Sequence, residues 1–148
     1  MADISDIEIL EAYNRIRDDN EQDNWMLMKY VDGKSNKLVL GGCGSGGLEE
    51  FTSQLTPSEA CYGYLRINVS NDELSQRSKF LLVSWCGLEV PVMRKAKLGV
   101  HLSSVKSICK SFSVEMPASE LSDLNEADVL LLLKKAMGAN YDRQATNY

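Results

Sequence analysis

Two runs, Cys61 to Val69 and Lys79 to Cys86, are apolar on both of the faces that an extended strand presents, and nothing else in the 148 residues constrains the fold as tightly. A strand with one wet face alternates apolar and polar residues, whereas a strand without that alternation must be covered on both sides. The two runs therefore predict neighbouring central strands of a sheet held between layers of helix. The polar stretch Ser70 to Ser78 between them reads as a protruding hairpin loop, with Arg77 and Lys79 at its returning end.

The covering elements are also visible. Ser5 and Glu8 have capping-box spacing, and Ile9, Ala12, Tyr13 and Ile16 form an i, i+3, i+4, i+7 stripe, which predicts an amphipathic helix from 5 to about 17. Asn24 to Val31 and Lys37 to Leu40 are β-rich and joined through Asp32-Gly33-Lys34-Ser35-Asn36, an antiparallel hairpin. A short helix follows over Leu48 to Leu55, ahead of Pro57. Val105, Ile108, Cys109 and Phe112 mark a helix beginning near Leu102, with Ser103, Lys106, Ser107 and Lys110 on its outer face. Ser113 to Met116 reads as a short strand closed off by Pro117, and the last helix runs from about Asn125 to Met137 with Gly138 as its stop. That order predicts a single α/β domain of the α+β type, one mixed sheet flanked by helices on both faces.

Charge is distributed unevenly. The chain carries 16 bases and 21 acids, net −5, yet seven of the bases (Arg77, Lys79, Arg94, Lys95, Lys97, Lys106, Lys110) lie between positions 77 and 110 beside one acid, Glu89. That segment is +6 and the remainder, nine bases against twenty acids, is −11. Screening over about 10 Å makes local charge decide a contact, so the segment predicts a basic surface for an anionic partner. The acidic remainder would repel a nucleic acid, and an acidic protein surface suits it better. On the last helix, Val129, Leu130, Leu133, Ala136 and Met137 share one face at about 100° per residue, while Leu131 points away beside Lys134 and Lys135 as a candidate interface anchor.

Other chemistries find little support. Four scattered cysteines without a C-x-x-C and one histidine, His101, do not assemble a metal site, and the cysteines read as reduced, mostly buried thiols of a cytosolic protein. The longest wholly apolar run, Val129 to Leu133, is far too short to span a membrane. Gly42-Cys43-Gly44-Ser45-Gly46-Gly47 formally satisfies G-x-G-x-x-G, but the strand before it pairs through a tight antiparallel hairpin, and a dinucleotide fingerprint belongs to a parallel β-α-β unit. It reads as a flexible loop, with a small nucleotide-binding enzyme built on residues 42–47 as the alternative. His101 reads as a polar residue near a helix start, and the pairs Asp18-Asp19, Glu49-Glu50 and Asp72-Glu73 as solvated edges.

Several blocks are familiar together: Ala12-Tyr13-Asn14, Arg17-Asp18-Asp19, Trp25, Tyr30, Arg77-Ser78-Lys79-Phe80 followed by Trp85 and Gly87, Arg94-Lys95-Ala96-Lys97, Val105-Lys106, and Lys134-Lys135-Ala136 leading to Gly138-Ala139-Asn140-Tyr141-Asp142. They resemble the coactosin branch of the actin-depolymerising-factor homology (ADF-H, cofilin) family. The resemblance implies a five- or six-stranded mixed sheet in a domain over 3–138 with a tail at 139–148, and no catalysis or cofactor. It implies a monomer of the cytoplasmic actin cytoskeleton that binds the side of filaments, holds monomeric actin weakly if at all, interferes with barbed-end capping and does not sever strongly. Lys79 corresponds to the family's principal filament contact, with Arg77 beside it. Arg94 through about Lys110, carrying Lys95, Lys97 and Lys106, corresponds to the segment pressed into the cleft between two actin subdomains. Leu102 departs from the lysine common three residues before the Val-Lys pair. Leu131, Lys134 and Lys135 complete the expected actin surface, and a cofilin-like severing protein is the alternative of the same fold.

Overall fold

The computed structural model describes residues 2–72 and 75–146, with side chains described outside 70–77 and 137–146. The chain forms α1 (Ile7–Arg17), a hairpin of β1 (Trp25–Tyr30) and β2 (Leu38–Gly44), α2 (Gly47–Thr52), a long hairpin of β3 (Ala60–Asp72) and β4 (Ser75–Cys86), α3 (Val92–Ile108), β5 (Val114–Ala118), a 3-10 turn at Leu121–Leu124, and α4 (Glu126–Thr146). The sheet order is β2-β1-β3-β4-β5. All neighbours are antiparallel except β4 and β5, so the sheet is mixed, as expected.

The two non-alternating runs are the two inner strands, and the core explains why they do not alternate. Tyr62, Tyr64 and Leu82 turn to one face, where α1 supplies Ile9, Ala12 and Ile16 and α3 supplies Leu98, Val105 and, at its end, Cys109. Cys61, Leu65, Leu81, Val83 and Trp85 turn to the other, against Phe51 of α2 and Val129 and Leu133 of α4. With a helical layer on each side, successive residues of both parities are removed from water. Gly63 makes the close approach of α2 possible, because a Cβ at that position would overlap the ring of Phe51 where the helix lies on β3. Burial also pushes the thiols of Cys61 and Cys109 up to about 12.

Several local expectations are corrected. Asp6, not Ser5, caps α1, its carboxylate accepting from Glu8 N at 3.0 Å. The described residues between Ser70 and Ser78 are strand, not loop. Their backbone continues the ladder, Asn68 opposite Ser78, Val69 opposite Arg77 and Ser70 opposite Gln76, with a bulge before Asp72 pairs with Ser75. Of the acidic pair Asp72-Glu73, Glu73 lies outside the described residues. Helix α3 starts ten residues before Leu102, at Val92, directly after Pro91, whose fixed φ suits a helix entrance. Pro117 lies within β5 rather than after it, tolerated because β5 is an edge strand. Helix α4 continues through Gly138 to Thr146, so position 138 falls inside a helix.

Half of the glycine-rich segment, Gly42 to Gly44, is strand. Gly42 and Gly44 belong to β2 and lie over the indole of Trp25, where a Cβ on Gly42 would come within 3.3 Å of the ring. Trp25 Nε1 donates to Glu50 Oε1 at 2.7 Å, and Gly47, at φ +68°, turns the chain into α2 while its N–H donates to Asn24 Oδ1 at 2.9 Å. These glycines are accounted for by the tryptophan beneath them and the turn beside it.

Candidate functional site

The basic residues do not gather on one face. By strand alternation Lys79 shares the face of Leu81, Val83 and Trp85, the side covered by α2 and α4. Its cross-strand partner Ile67 packs into the same cluster as Leu130 of α4. Lys134 and Lys135 are exposed on α4. Arg94, Lys95, Lys97, Lys106 and Lys110 belong to α3 and its end, on the opposite side of the sheet. The backbone of Arg77 pairs with Val69, and its side chain lies outside the described residues. Sequence order placed these cations in one third of the chain, but the sheet between the two helical layers separates them.

On the α3 side two of the five cations are engaged within the molecule. Arg94 lays its guanidinium over the Tyr30 ring at 3.8 Å and donates from Nη2 to the Asp32 carbonyl at 3.1 Å. This lines an open cleft of about 420 Å³ with Lys29, Glu59 and Met93. Lys106 Nζ is 2.6 Å from Glu115 Oε2 on β5 and 5.7 Å from the centroid of Phe112. Lys95 and Lys110 are exposed, and Lys97 is half-buried.

Between these flanking charges the outward stripe of α3 carries none. Val92, Met93 and Val100 are 80%, 74% and 67% exposed, and Ala96, Gly99, Ser103 and Ser107 continue the same face. Large apolar side chains presented together on one helix mark a surface shaped for a partner. Sequence reasoning missed Val92, Met93, Ala96 and Val100 because it began the helix at Leu102; the signal available was their helical spacing to Ser103 once Gly99 is tolerated inside a helix. Leu102, at the position where a lysine was expected, is half-buried and packs against the α1–α3 core.

The inner face of α3 is fixed by polar contacts. His101 is 3% exposed, not at a helix start but deep in α3, with Nδ1 2.7 Å from the Tyr30 hydroxyl. Burial, with Arg94 and Lys97 nearby, holds its pKa below the usual imidazole range. The Tyr62 hydroxyl donates to the Leu98 carbonyl, and the Tyr64 hydroxyl donates to the Ser111 carbonyl just beyond the helix end. The helix is therefore seated on a tyrosine floor along its length.

On the other side, Leu131 is 51% exposed while Val129 and Leu133 are fully buried, so α4 presents Leu131 outward with Lys134 and Lys135. Among the described residues no cluster of His, Cys, Asp and Glu could hold a metal ion, and no helix is long and apolar enough to cross a membrane.

Comparison with known proteins bears on the family and the fold. Residues 1–134 match the family model described as cofilin/tropomyosin-type actin-binding protein. Coactosin of Dictyostelium discoideum is 44% identical over 149 aligned residues, covering 99% of this chain and 100% of that protein. The crystal structure of human coactosin-like protein superposes with a TM-score of 0.83 at 30% identity, over 91% of this chain and 99% of that one. The solution structure of mouse coactosin, described as an actin filament binding protein, gives 0.75 at 34% identity over 97% of each chain. The extended match and the five-stranded mixed sheet between two helical layers together establish that this chain belongs to the cofilin/tropomyosin-type actin-binding family, beside the coactosins.

Proposed function

We propose that this protein binds actin filaments along their side, as a monomer of the cytoplasmic actin cytoskeleton, without severing them and without catalysis. The observation that carries the proposal is the outward face of α3, where Val92, Met93 and Val100 are exposed with no charge among them while Lys95 and Lys110 stand exposed on the same helix and at its end. An apolar stripe flanked by cations suits a partner whose cleft is apolar and whose rim is acidic, because desolvation rewards the centre and complementarity steers the approach. On the other side of the sheet, Lys79, Leu131, Lys134 and Lys135 offer a second contact, so that a filament can be gripped at two places where a single monomer offers one. Arg77, Arg94, Lys97 and Lys106 belong to the same proposal as adjoining cations, with Arg94 and Lys106 contributing mainly by holding α3 in place.

Co-sedimentation with filamentous actin tests the reading: the wild-type protein should pellet with filaments, and Lys79→Glu should not, while keeping its circular-dichroism spectrum and melting temperature. Lys79 is half-exposed, so a charge reversal there costs folding less than it costs a contact across which it places like charges. Filaments imaged by fluorescence at saturating protein should persist; rapid fragmentation would favour a cofilin-like severing activity. Pelleting of Lys79→Glu at the wild-type level would remove Lys79 from the contact.

A further inference from the structure

The strand that carries Lys79 leaves the sheet before it reaches its tip. β1 stops pairing with β3 at Trp25 opposite Leu65, and β5 begins pairing with β4 at Leu81 opposite Val114. Beyond Arg66 and Phe80 the two strands have only each other as ladder partners. A two-stranded ribbon is marginally stable by itself and twists freely, so side chains that brace it decide where it points.

On the α1 face those braces come from one short segment. Arg66, at the root, donates from Nη1 to the carbonyls of Ile16 at 2.7 Å and Asp18 at 2.6 Å, and from Nη2 to that of Glu21 at 2.8 Å. Opposite it on β4, Phe80 stacks on Tyr64 with centroids 5.6 Å apart, and the Arg17 guanidinium lies 4.8 Å above its ring. Further out, the Ser78 hydroxyl is 3.1 Å from Asp19 Oδ1 and 3.1 Å from Oδ1 of Asn68, its cross-strand neighbour. An ionised carboxylate is the stronger acceptor, so the hydroxyl donates to Asp19. Ser78 and Phe80, the residues on either side of Lys79, are thus held from the α1 face while Lys79 emerges on the other.

We infer that the segment leaving α1 is a latch that sets the direction of the β3–β4 ribbon, and that Asp19 is the positioning residue that places Lys79 for its filament contact. Asp18 and Asp19, which read as a solvated edge from sequence order, both serve this latch, Asp18 through its carbonyl on Arg66 and Asp19 through its carboxylate on Ser78. The inference rests on the proposed role of Lys79, and it adds that the contact depends on a group that does not touch actin.

The test compares Asp19→Ala, Asp19→Asn, Ser78→Ala and the Asp19→Ala/Ser78→Ala pair, with Lys79→Ala as reference, in filament co-sedimentation. Loss of one charge-assisted hydrogen bond should lower affinity roughly threefold to tenfold in Asp19→Ala and in Ser78→Ala. The double variant should be no weaker than the weaker single one. Asp19→Asn, whose amide oxygen still accepts but without the charge, should weaken binding less than Asp19→Ala. All should melt within about 2 °C of wild type, since the contact is exposed. Residual dipolar couplings of the Ile67 to Val69 amides, measured without actin, should change in Asp19→Ala and change less in Asp19→Asn. Unchanged couplings in Asp19→Ala would overturn the latch whatever the filament assay gives. Equal weakening by Asn and Ala would overturn it too, because charge and not hydrogen bonding would then be at work. If Lys79→Ala pellets like wild type, the role given to Lys79 fails, and the couplings alone decide whether the latch exists.

Discussion

Leu131 and Leu133 are two leucines on one helix, turned about 200° from each other, and the same truncation should therefore separate folding from binding. Leu133 is fully buried in the cluster beneath α4, whereas Leu131 is 51% exposed. Leu133→Ala removes methyl groups from a packed site and leaves a cavity, a loss of about 2–5 kcal/mol. For a chain of this size each kcal/mol moves the melting temperature by about 2–4 °C, so a drop of roughly 4–20 °C is expected. Leu131→Ala takes a side chain that is already half in water to the best helix former, and should stay within about 0.5 kcal/mol of wild type. At a desolvated contact the same truncation costs about 1 kcal/mol or more, a loss of about fivefold in filament affinity. Thermal unfolding and filament co-sedimentation of the two variants, side by side, make the measurement. Lowered stability in Leu131→Ala would show that the helix is rotated from the orientation described. Full affinity in that variant would take α4 out of the actin contact.

Three further outcomes follow from the same geometry. Raising ionic strength from about 0.05 to about 0.3 M should weaken filament binding severalfold, and a salt-insensitive affinity would assign the contact to the apolar α3 face alone. His101 has its folded pKa depressed by burial, so its contribution to stability is present above the unfolded value of about 6.5 and is lost as pH falls toward the folded one. Wild type should therefore lose more melting temperature between about pH 7 and pH 5 than His101→Gln does, and parallel pH profiles would refute the assignment. Gly63→Ala should destabilise by about 1–3 kcal/mol, because the buried Phe51 ring has no room to retreat; a wild-type melting temperature would mean that α2 is not anchored on that glycine.

The sheet was legible in the sequence because burial on both faces leaves a mark that no surface strand imitates, as in Cys61 to Val69. Ribbon residues 70 to 78 left no such mark. A two-stranded arm that extends beyond the rest of the sheet has polar residues of both parities and reads like a loop although its ladder continues. The first half of α3 was hidden for a related reason. Its outward face is apolar, its N-terminal Pro91 makes no side-chain cap, and Gly99 interrupts the pattern, so the periodicity that normally distinguishes core from solvent is blurred there. The charge map named these cations but not the faces they occupy. Lys95 and Lys106 are near in sequence to Lys79 and yet on the far side of a sheet, and the pairing of Lys106 with Glu115 is a tertiary fact with no local signature.

Each margin of the sheet carries one device against strand pairing. At β2 the residue Asp3 bridges Lys37, with Asp3 N donating to the Asn36 carbonyl at 2.9 Å and Leu38 N to the Asp3 carbonyl at 2.8 Å; at β5 the ring of Pro117 removes a donor from the outer strand. For a solitary molecule in dilute solution these devices matter little. A protein that decorates a polymer is held beside other copies of itself at an effective concentration set by the subunit spacing, in the range where an open strand edge would recruit its neighbour. If this protein lines filaments as proposed, the Asp3 bridge and the edge-strand proline would keep neighbouring copies from knitting into a sheet of their own.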